Sequence, residues 1–266
     1  MADIMKRKGA KIIAIANQKG GVGKTTTTIN LAAALAEVGK KILIVDLDPQ
    51  GNSSTGLGID PESRNLTSYE LMLDDIKIKD VVKKTEVKNL LIIPATTDLS
   101  SADIELYNSE KRVFLLREAL NKKEINNFRF DFILIDCPPS LNLLTLNSMV
   151  AADSVLIPLQ SEFFALEGLS QLMLTIREVR ASANEFLRIE GVVLTMFDSR
   201  NNLSLLVEED ARENLGEIVF KTTIPRNVRV SEAPSYSQTV LSYDTDSKGA
   251  KAYRDLASEF LTNNKS

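Results

Sequence analysis

The sequence predicts an α/β domain in which a doubly wound, mostly parallel sheet carries helices on both faces. Short runs of nearly continuous Ile, Leu and Val recur along its 266 residues, which is typical of strands buried on both faces. Between several of these runs, apolar residues recur at helical spacing, and the alternation of the two patterns indicates a doubly wound fold. The expected strands are residues 11–16, 41–46, 90–95, 132–138, 154–159 and 191–197.

Three helices are predicted most clearly by stripes of apolar residues. The first stripe covers 31–38 and is closed by Gly39, the second covers 169–176, and the third covers 253–261. We find no repeat or linker, so we expect one domain over residues 1–266, with 1–10 as a basic N-terminal tail.

The stretch 47–65 is rich in Gly, Ser, Asn and Pro and is expected to be a long irregular loop. Loops of this length within a compact domain are usually functional or disordered. We favour a functional role because this loop follows a strand that ends in two aspartates.

The composition excludes several kinds of site. The sequence has no histidine, which excludes Ser-His-Asp catalysis and His-ligated metals. Its single cysteine, Cys137, excludes an internal disulfide and a four-thiolate site in one chain, and we expect it to be a small buried residue. The net charge of −4 gives no global sign of nucleic-acid binding, so any DNA contact needs a local basic patch. With no apolar run long enough to span a bilayer, we expect a cytoplasmic protein without membrane association.

The segment NQKGGVGKTTTT, residues 17–28, is the strongest functional signal, because it lies between the first strand and the first helix. Its glycines allow backbone N–H groups to turn around phosphate oxygens at a helix N-terminus. Lys24 is expected to reach the β- and γ-phosphates of ATP, and Thr25 to place its hydroxyl on Mg²⁺. The expected nucleotide contacts in this loop are Lys19, Gly20, Gly21, Val22, Gly23, Lys24, Thr25 and Thr26.

This loop departs from the strict Walker A pattern. Gln18 stands where that pattern has its first glycine, and Lys19 precedes the double glycine, which gives the deviant pattern KGGVGKT. Two lysines around one loop exceed what a single triphosphate needs from one chain.

Carboxylates follow two of the predicted strands. Asp46 and Asp48 end the second strand, and Asp136 follows the apolar run FILI. Since the carboxyl ends of parallel strands open on one edge, these residues are expected to meet Lys24 there. In a single P-loop ATPase domain of this kind, Asp136 is expected to serve as the Walker B partner of Mg²⁺, and Asp48 both to contact Mg²⁺ and to orient the attacking water. Asp46 either supports this network or caps the loop.

Together these motifs resemble those of ParA-type partition ATPases, close to the Soj-like branch. The resemblance covers about residues 10–261 and includes more than the phosphate loop and DLDPQGN. The narrower segments are IDCPPSL (135–141), EFFALEGLSQL (162–172), EGVVLTMFDSR (190–200) and IPRNVRVSEAPS (224–235).

The resemblance implies a cycle of ATP binding and slow, switch-like hydrolysis. ATP drives a sandwich homodimer that binds double-stranded DNA non-specifically, and a ParB-type centromere-binding partner stimulates hydrolysis and releases the protein. Lys19 then corresponds to the signature lysine, which reaches the partner's nucleotide, and Lys19, Lys24 and Asp48 form the catalytic set. The protein is expected to associate with the nucleoid when ATP is bound.

The resemblance also assigns residues outside the phosphate loop. Pro225 and Asn227, with Met196 nearby, match the loop that encloses adenine, while Arg200 and Arg229 match positions linked to DNA contact. Three further residues of the last predicted helix are expected to extend this basic face: Lys248, Lys251 and Arg254.

Two alternatives remain open. A MinD-like membrane-associated ATPase shares the loop and the carboxylates, but it needs a C-terminal amphipathic helix with a basic polar face, whereas the last predicted helix carries Asp255 and Glu259. A metabolic ATP-dependent ligase needs a second substrate pocket. Only sixteen residues precede the phosphate loop, so we expect no N-terminal helix-turn-helix domain.

Overall fold

The computed structural model describes residues 9–74, 76–106, 109, 111–162 and 165–265. Within them a seven-stranded sheet has the order β3-β4-β2-β5-β1-β6-β7. The strand pairs are parallel except for the pair of β3 with β4. The strands are β1 Lys11–Ile15, β2 Ile42–Asp46, β3 Lys83–Lys84, β4 Leu90–Ile93, β5 Phe132–Asp136, β6 Ser154–Gln160 and β7 Arg188–Thr195.

All six predicted strands are present, with shifted ends. The predicted strand 132–138 ends at Asp136 because Pro138 has no N–H to donate to a neighbouring strand. The strand predicted over 191–197 begins earlier, at Arg188, where partly polar residues hid it from an apolar pattern. The edge strand β3 was missed since two lysines give no hydrophobic signal.

Helices cover both faces of the sheet. Their bounds are α1 Lys24–Glu37, α2 Asn52–Gly56, α3 Ser68–Leu73, α4 Ile78–Val81, α5 Ala102–Glu105, α6 Leu115–Leu120, α7 Leu143–Ala151, α8 Ala165–Ser182, α9 Asn202–Leu215, α10 Val228–Glu232, α11 Val240–Tyr243 and α12 Lys248–Asn263. Short 3-10 turns connect several of them.

Two hydrophobic cores lie on opposite faces of the sheet. In β1, Ile12 and Ala14 belong to one core, whereas Ile13 and Ile15 belong to the other. Because successive side chains of a strand point to opposite faces, a strand between two cores must be apolar throughout. This explains the continuous apolar runs from which the sheet was predicted.

Helix α12 docks on α1 in the second core. Tyr253, Leu256 and Phe260 are fully buried there, as the predicted stripe requires. Helix α1 ends at Glu37, and Gly39 takes the left-handed conformation that closes it, with φ of 85°. Among the described residues, no helix is both long enough and apolar enough to cross a bilayer.

The expectation of an irregular loop over 47–65 is wrong in part. The stretch contains α2 and a 3-10 turn at Pro61–Ser63, and the first of these is largely buried. Helix α2 was missed because its sequence, NSSTG, has neither apolar periodicity nor good helix formers. Its polar side chains are satisfied by partners from distant strands, which a local pattern does not reveal.

Candidate nucleotide site

The loop between β1 and α1 has the backbone of a phosphate-binding turn. Gly21 and Gly23 are left-handed, with φ of 75° and 86°, a conformation that glycine adopts without strain. Gly23 is the N-cap of α1 and offers no side chain to the first amides of the helix. Those N–H groups and the positive end of the helix dipole are the donors that an anion at this position needs.

Lys24, the first residue of α1, is buried beside this turn. Its ammonium Nζ donates to the carbonyl of Lys19 at 3.1 Å. Burial lowers the pKa of Lys24, and the negative charges of Asp136, Cys137 and Asp48 oppose that shift. A buried ammonium at a helix N-terminus fits the charge and geometry of a nucleotide phosphate.

Neighbouring strands hold the phosphate loop in place. The Thr195 hydroxyl at the end of β7 donates to the carbonyl of Val22 at 2.8 Å. The Asn17 side chain donates to Pro158 O at 2.7 Å and accepts from the Lys19 amide at 3.0 Å. The sequence analysis missed Thr195 and Asn17 as supporting residues, because no local pattern links them.

The parallel register brings two aspartates together at the carboxyl edge of the sheet. Asp46 and Asp136 are aligned across β2 and β5, and both are fully buried. Asp136 accepts from Thr28 Oγ1 at 3.2 Å and from Ser53 Oγ at 2.7 Å. Burial raises the pKa of Asp136, while hydrogen bonds from Ser53, Thr25 and Thr28 oppose the rise.

Asp46 organises the loop that follows it. One carboxylate oxygen accepts from the Ser54 hydroxyl at 2.7 Å and from its amide at 2.9 Å, and the other accepts from the Asp48 amide at 3.2 Å. Asp46 therefore holds both the start of this loop, at Asp48, and α2, at Ser54. Burial, with the charge of Asp136 as the next cause, raises the pKa of Asp46.

This shift makes the stability of the nucleotide-free protein depend on pH. Because burial raises the pKa of folded Asp46 above that of the unfolded residue, the free energy of unfolding should fall as pH rises through the range between these two pKa values. Asp46→Asn should flatten this fall: the amide cannot accept all the hydrogen bonds of the carboxylate, but the substitution should cost about 2 kcal/mol less at pH 8 than at pH 5. Urea unfolding at pH 5 and pH 8 measures both effects, with exposed Asp80→Asn as the matched control. Equal destabilisation of Asp46→Asn at both pH values would contradict this electrostatic cost.

Asp48 faces the same edge from the start of the loop. It is almost buried, and its Oδ1 accepts from the Gln50 amide at 3.0 Å. Its charge acts on both Lys24 and Asp136. The structure thus gathers Thr25, Asp48 and Asp136 beside the phosphate loop. This donor set suits Mg²⁺, which binds one or two carboxylates and completes its octahedron with water and phosphate oxygens.

Lys19 lies at the mouth of the loop and is paired within its own chain. Its ammonium contacts Glu162 Oε2 at 2.7 Å, and both side chains are partly exposed. Pairs of this kind contribute little to stability, about 0–1 kcal/mol. Breaking this pair therefore costs little free energy, so Lys19 can bind another anion in place of Glu162.

A β-bridge between Phe197 and Pro225 joins the two segments that carry the residues expected near adenine. Met196 has a left-handed backbone, with φ of 51°, and its Cε lies 4.0 Å from the position of a Cβ on Gly23. Asn227 uses its side-chain oxygen to cap α10 through the amides of Arg229 and Val230. Met196 thus lies against the phosphate loop, and the Phe197 bridge brings Pro225 and Asn227 to the same side.

The expected DNA-contacting residues differ in their surroundings. Arg200 forms a two-pronged pair with Asp198, and Arg229 contacts Glu232 and Asp244. Arg254 pairs with Glu37 at 2.8 Å on α1 and is only one-third exposed. Two lysines on the first turn of α12 are exposed: Lys248 and Lys251.

The comparisons with known proteins identify the family of the chain. A family model described as an AAA domain matches residues 10–189. The chain is 52% identical to the chromosome partitioning protein ParA of Caulobacter vibrioides, over 97% of this chain and 96% of that protein. The chain belongs to the ParA/Soj family of chromosome-partitioning ATPases. It is also 51% identical to the sporulation initiation inhibitor protein Soj of Bacillus subtilis, over 95% of this chain and 99% of that one.

A solved structure of a relative has a similar fold. The Mycobacterium smegmatis protein described as cobyrinic acid a,c-diamide synthase, with a bound ATP analogue and magnesium, superposes with a TM-score of 0.85 at 38% identity. The match covers 97% of this chain and 96% of that one. The predictions of a doubly wound P-loop ATPase fold and of the ParA/Soj resemblance are confirmed.

The main residues that the sequence analysis missed are Ser53, Ser54 and Arg64. The two serines donate to the strand-end aspartates, and buried Arg64 donates to Ile59 O at 2.7 Å and Ala95 O at 3.3 Å. Their position after DLDPQGN was the only available signal. Cys137 is buried as expected, and burial raises its thiol pKa to about 12, so it is unreactive.

Proposed function

We propose that this ParA/Soj-family ATPase hydrolyses ATP slowly with Mg²⁺, and that the reaction acts as a switch on DNA binding. The observation that carries the proposal is the buried Lys24 at the N-terminus of α1, facing Asp48 and Asp136. At one edge of the sheet, this arrangement supplies an ammonium that can bind phosphate, a carboxylate that can bind Mg²⁺ and a carboxylate that can orient the attacking water. Relatives of the same length that are named for chromosome partitioning support the biological role.

Each group of residues at the site has its own role in the proposed reaction. The glycine amides and Lys24 bind the phosphates, while Thr25 and Asp136, with Asp48 adjoining, would hold Mg²⁺. Bound Mg²⁺ would neutralise part of the negative charge of the phosphates. Asp48 orients a water toward the terminal phosphate and accepts its proton. None of these groups needs a histidine or a reactive thiol.

The same proposal includes an ATP-dependent sandwich homodimer. Lys19 would leave Glu162 and contact the nucleotide of the second copy, where it stabilises developing negative charge as an arginine finger does. The low strength of an exposed ion pair supports this exchange. Met196, Pro225 and Asn227 would enclose adenine.

The dimer is proposed to bind double-stranded DNA without sequence preference. Support comes from Arg200 and Arg229, which lie on the two segments joined by the Phe197–Pro225 bridge, so the chain presents both near one edge. Their acidic partners are partly exposed, and DNA phosphates can replace them. Exposed Lys248 and Lys251 could extend this surface, whereas Arg254 would first have to leave Glu37.

Charge reversal tests the DNA surface. Replacing both Arg200 and Arg229 with Glu should weaken binding to random duplex DNA at least about tenfold, equally for every sequence. The slope of log affinity against log salt should fall by about two per protomer. The matched control is Lys83→Glu with Lys84→Glu on the opposite edge strand β3. Fluorescence anisotropy measures both quantities, and an affinity equal to that of wild type would contradict the assignment.

We further propose a ParB-type centromere-binding partner that stimulates hydrolysis, and a cytoplasmic protein that joins the nucleoid in its ATP-bound form. These proposals rest on membership of the ParA/Soj family. An ATPase assay with and without a purified partner from the same replicon tests the stimulation.

The alternatives are supported less. The polar face of α12 includes Glu259, which accepts from the Lys221 and Thr222 amides and fixes the helix to the domain. A helix docked in this way is poorly suited to lie on a membrane. A cavity of about 550 Å³ lies beside Gly9 and Phe130, at the amino ends of β1 and β5. The phosphate loop is at the carboxyl end of β1, so this cavity is too remote to hold a ligase's second substrate against it.

A further inference from the structure

Helix α2 is a single turn that cannot be stable by itself. It spans Asn52–Gly56, and its N-cap, Gly51, provides no side-chain hydrogen bond. Isolated helices of this length do not form in water, because nucleation fixes several residues for one hydrogen bond. Tertiary contacts must therefore hold α2 in place.

Two adjacent serines provide these contacts. Ser53 donates to Asp136 Oδ2 at 2.7 Å, and Ser54 donates to Asp46 Oδ2 at the same distance. The Ser54 hydroxyl also accepts from the Ala95 amide at 3.0 Å. Helix α2 is thereby tied to the carboxyl ends of β5, β2 and β4, which are consecutive in the sheet.

The bonds have the properties of strong anchors. Both serines are fully buried, and each donates to a carboxylate that is itself removed from water. A buried carboxyl group that loses a hydrogen-bond donor is destabilised, because water cannot replace that donor. A hydroxyl of Ser53 or Ser54 therefore cannot be removed without loosening α2.

Asp48 is joined to α2 by backbone hydrogen bonds. The Gly51 amide donates to the carbonyl of Asp48 at 2.8 Å, and the Thr55 amide donates to the carbonyl of Gly51 at 2.9 Å. These bonds form one continuous turn from Asp48 into α2. Arg64 contacts the same turn from behind, since a Cβ on Gly51 would lie 2.6 Å from its Nη1. A displacement of α2 must therefore move Asp48.

We propose that Ser53 and Ser54 are positioning residues that hold Asp48 in place for water activation by tying α2 to Asp136 and Asp46. The inference rests on the proposed ATPase function. The serines act through Asp48, so they govern the rate of hydrolysis rather than the affinity for nucleotide.

The test compares S53A and S54A with S63A. Ser63 lies in the same loop, but its exposed hydroxyl donates only to the carbonyl of Asp60 at 2.7 Å, which makes S63A the matched control. Hydrogen exchange of the nucleotide-free protein should be about tenfold faster at the Leu57 and Ile59 amides in S53A and S54A, with S63A unchanged. The kcat should fall about tenfold, with the Kd for ATP changed less than threefold.

Each outcome decides the proposal. Exchange in S53A equal to that in S63A, or a loss of ATP affinity as large as the loss of kcat, would overturn it. If S54A fails to fold, S53A carries the test, because it removes one hydrogen bond and leaves the Asp46 cluster intact. If wild-type protein fails to hydrolyse ATP, the proposed function fails, and exchange then decides separately whether the serines hold α2.

Discussion

Lys24→Ala should abolish ATP-dependent dimerisation. The ammonium is the one cation that the described contacts place inside the phosphate turn, and it is buried where its charge is poorly screened. Charge-assisted hydrogen bonds to phosphate contribute about 1.5–3 kcal/mol each, so ATP affinity should fall by up to about a hundredfold. Analytical ultracentrifugation with ATP and Mg²⁺ measures the dimer directly.

The Lys24 variant should still fold. Burial lowers the pKa of Lys24, which means that the nucleotide-free fold gains little from its charge. Circular dichroism and thermal unfolding without nucleotide check this. Lys40→Ala, which removes an exposed pair with Asp131, is the matched control and should dimerise normally. Sedimentation of Lys24→Ala with ATP that matches wild type would refute the assigned role.

Asp48→Ala should trap an ATP-bound dimer. The residue is placed beside Lys24 and Asp136 but is the more exposed of the strand-end aspartates, so it can reach a water. Removal of a group that positions and deprotonates a water typically costs about 10²–10⁴-fold in rate. ATP binding should persist because Lys24 and the loop amides are untouched. Phosphate release should therefore stop while size-exclusion chromatography with ATP shows a persistent dimer.

Asp60→Ala provides the comparison for Asp48→Ala. Asp60 belongs to the same loop and caps the 3-10 turn through the Glu62 amide, away from the phosphates. The Asp60→Ala variant should hydrolyse ATP at the wild-type rate. Normal phosphate release by Asp48→Ala would show that another group activates the water, and the assignment of the catalytic carboxylate would have to be withdrawn.

The sequence predicts the fold well because the determining signals are local. The first four residues of β5, FILI, are all apolar because this part of the strand separates two cores, and this is visible in four consecutive letters. The phosphate loop is equally local, since its left-handed glycines and Lys24 are neighbours in the chain. The strand-end aspartates could be placed together because parallel strands share a carboxyl edge.

The structural features that could not be predicted from the sequence depend on contacts between distant residues. Helix α2 has no helical pattern, and it exists because Ser53 and Ser54 find carboxylates from β5 and β2. Arg64 reads as a surface residue in sequence but is buried against backbone carbonyls. The pairing of Arg254 with Glu37 likewise joins α12 to α1, and no spacing within α12 could reveal it.

The central claim is that ATP binding switches this protein onto DNA, and a titration on random duplex DNA tests it most directly. Binding is measured with ATP and Mg²⁺, with ADP, and without nucleotide, at two salt concentrations. We expect tight, sequence-independent binding with ATP alone, weakened steeply by salt. Equal DNA binding in all three states, or ATP-dependent binding to liposomes with none to DNA, would contradict the account.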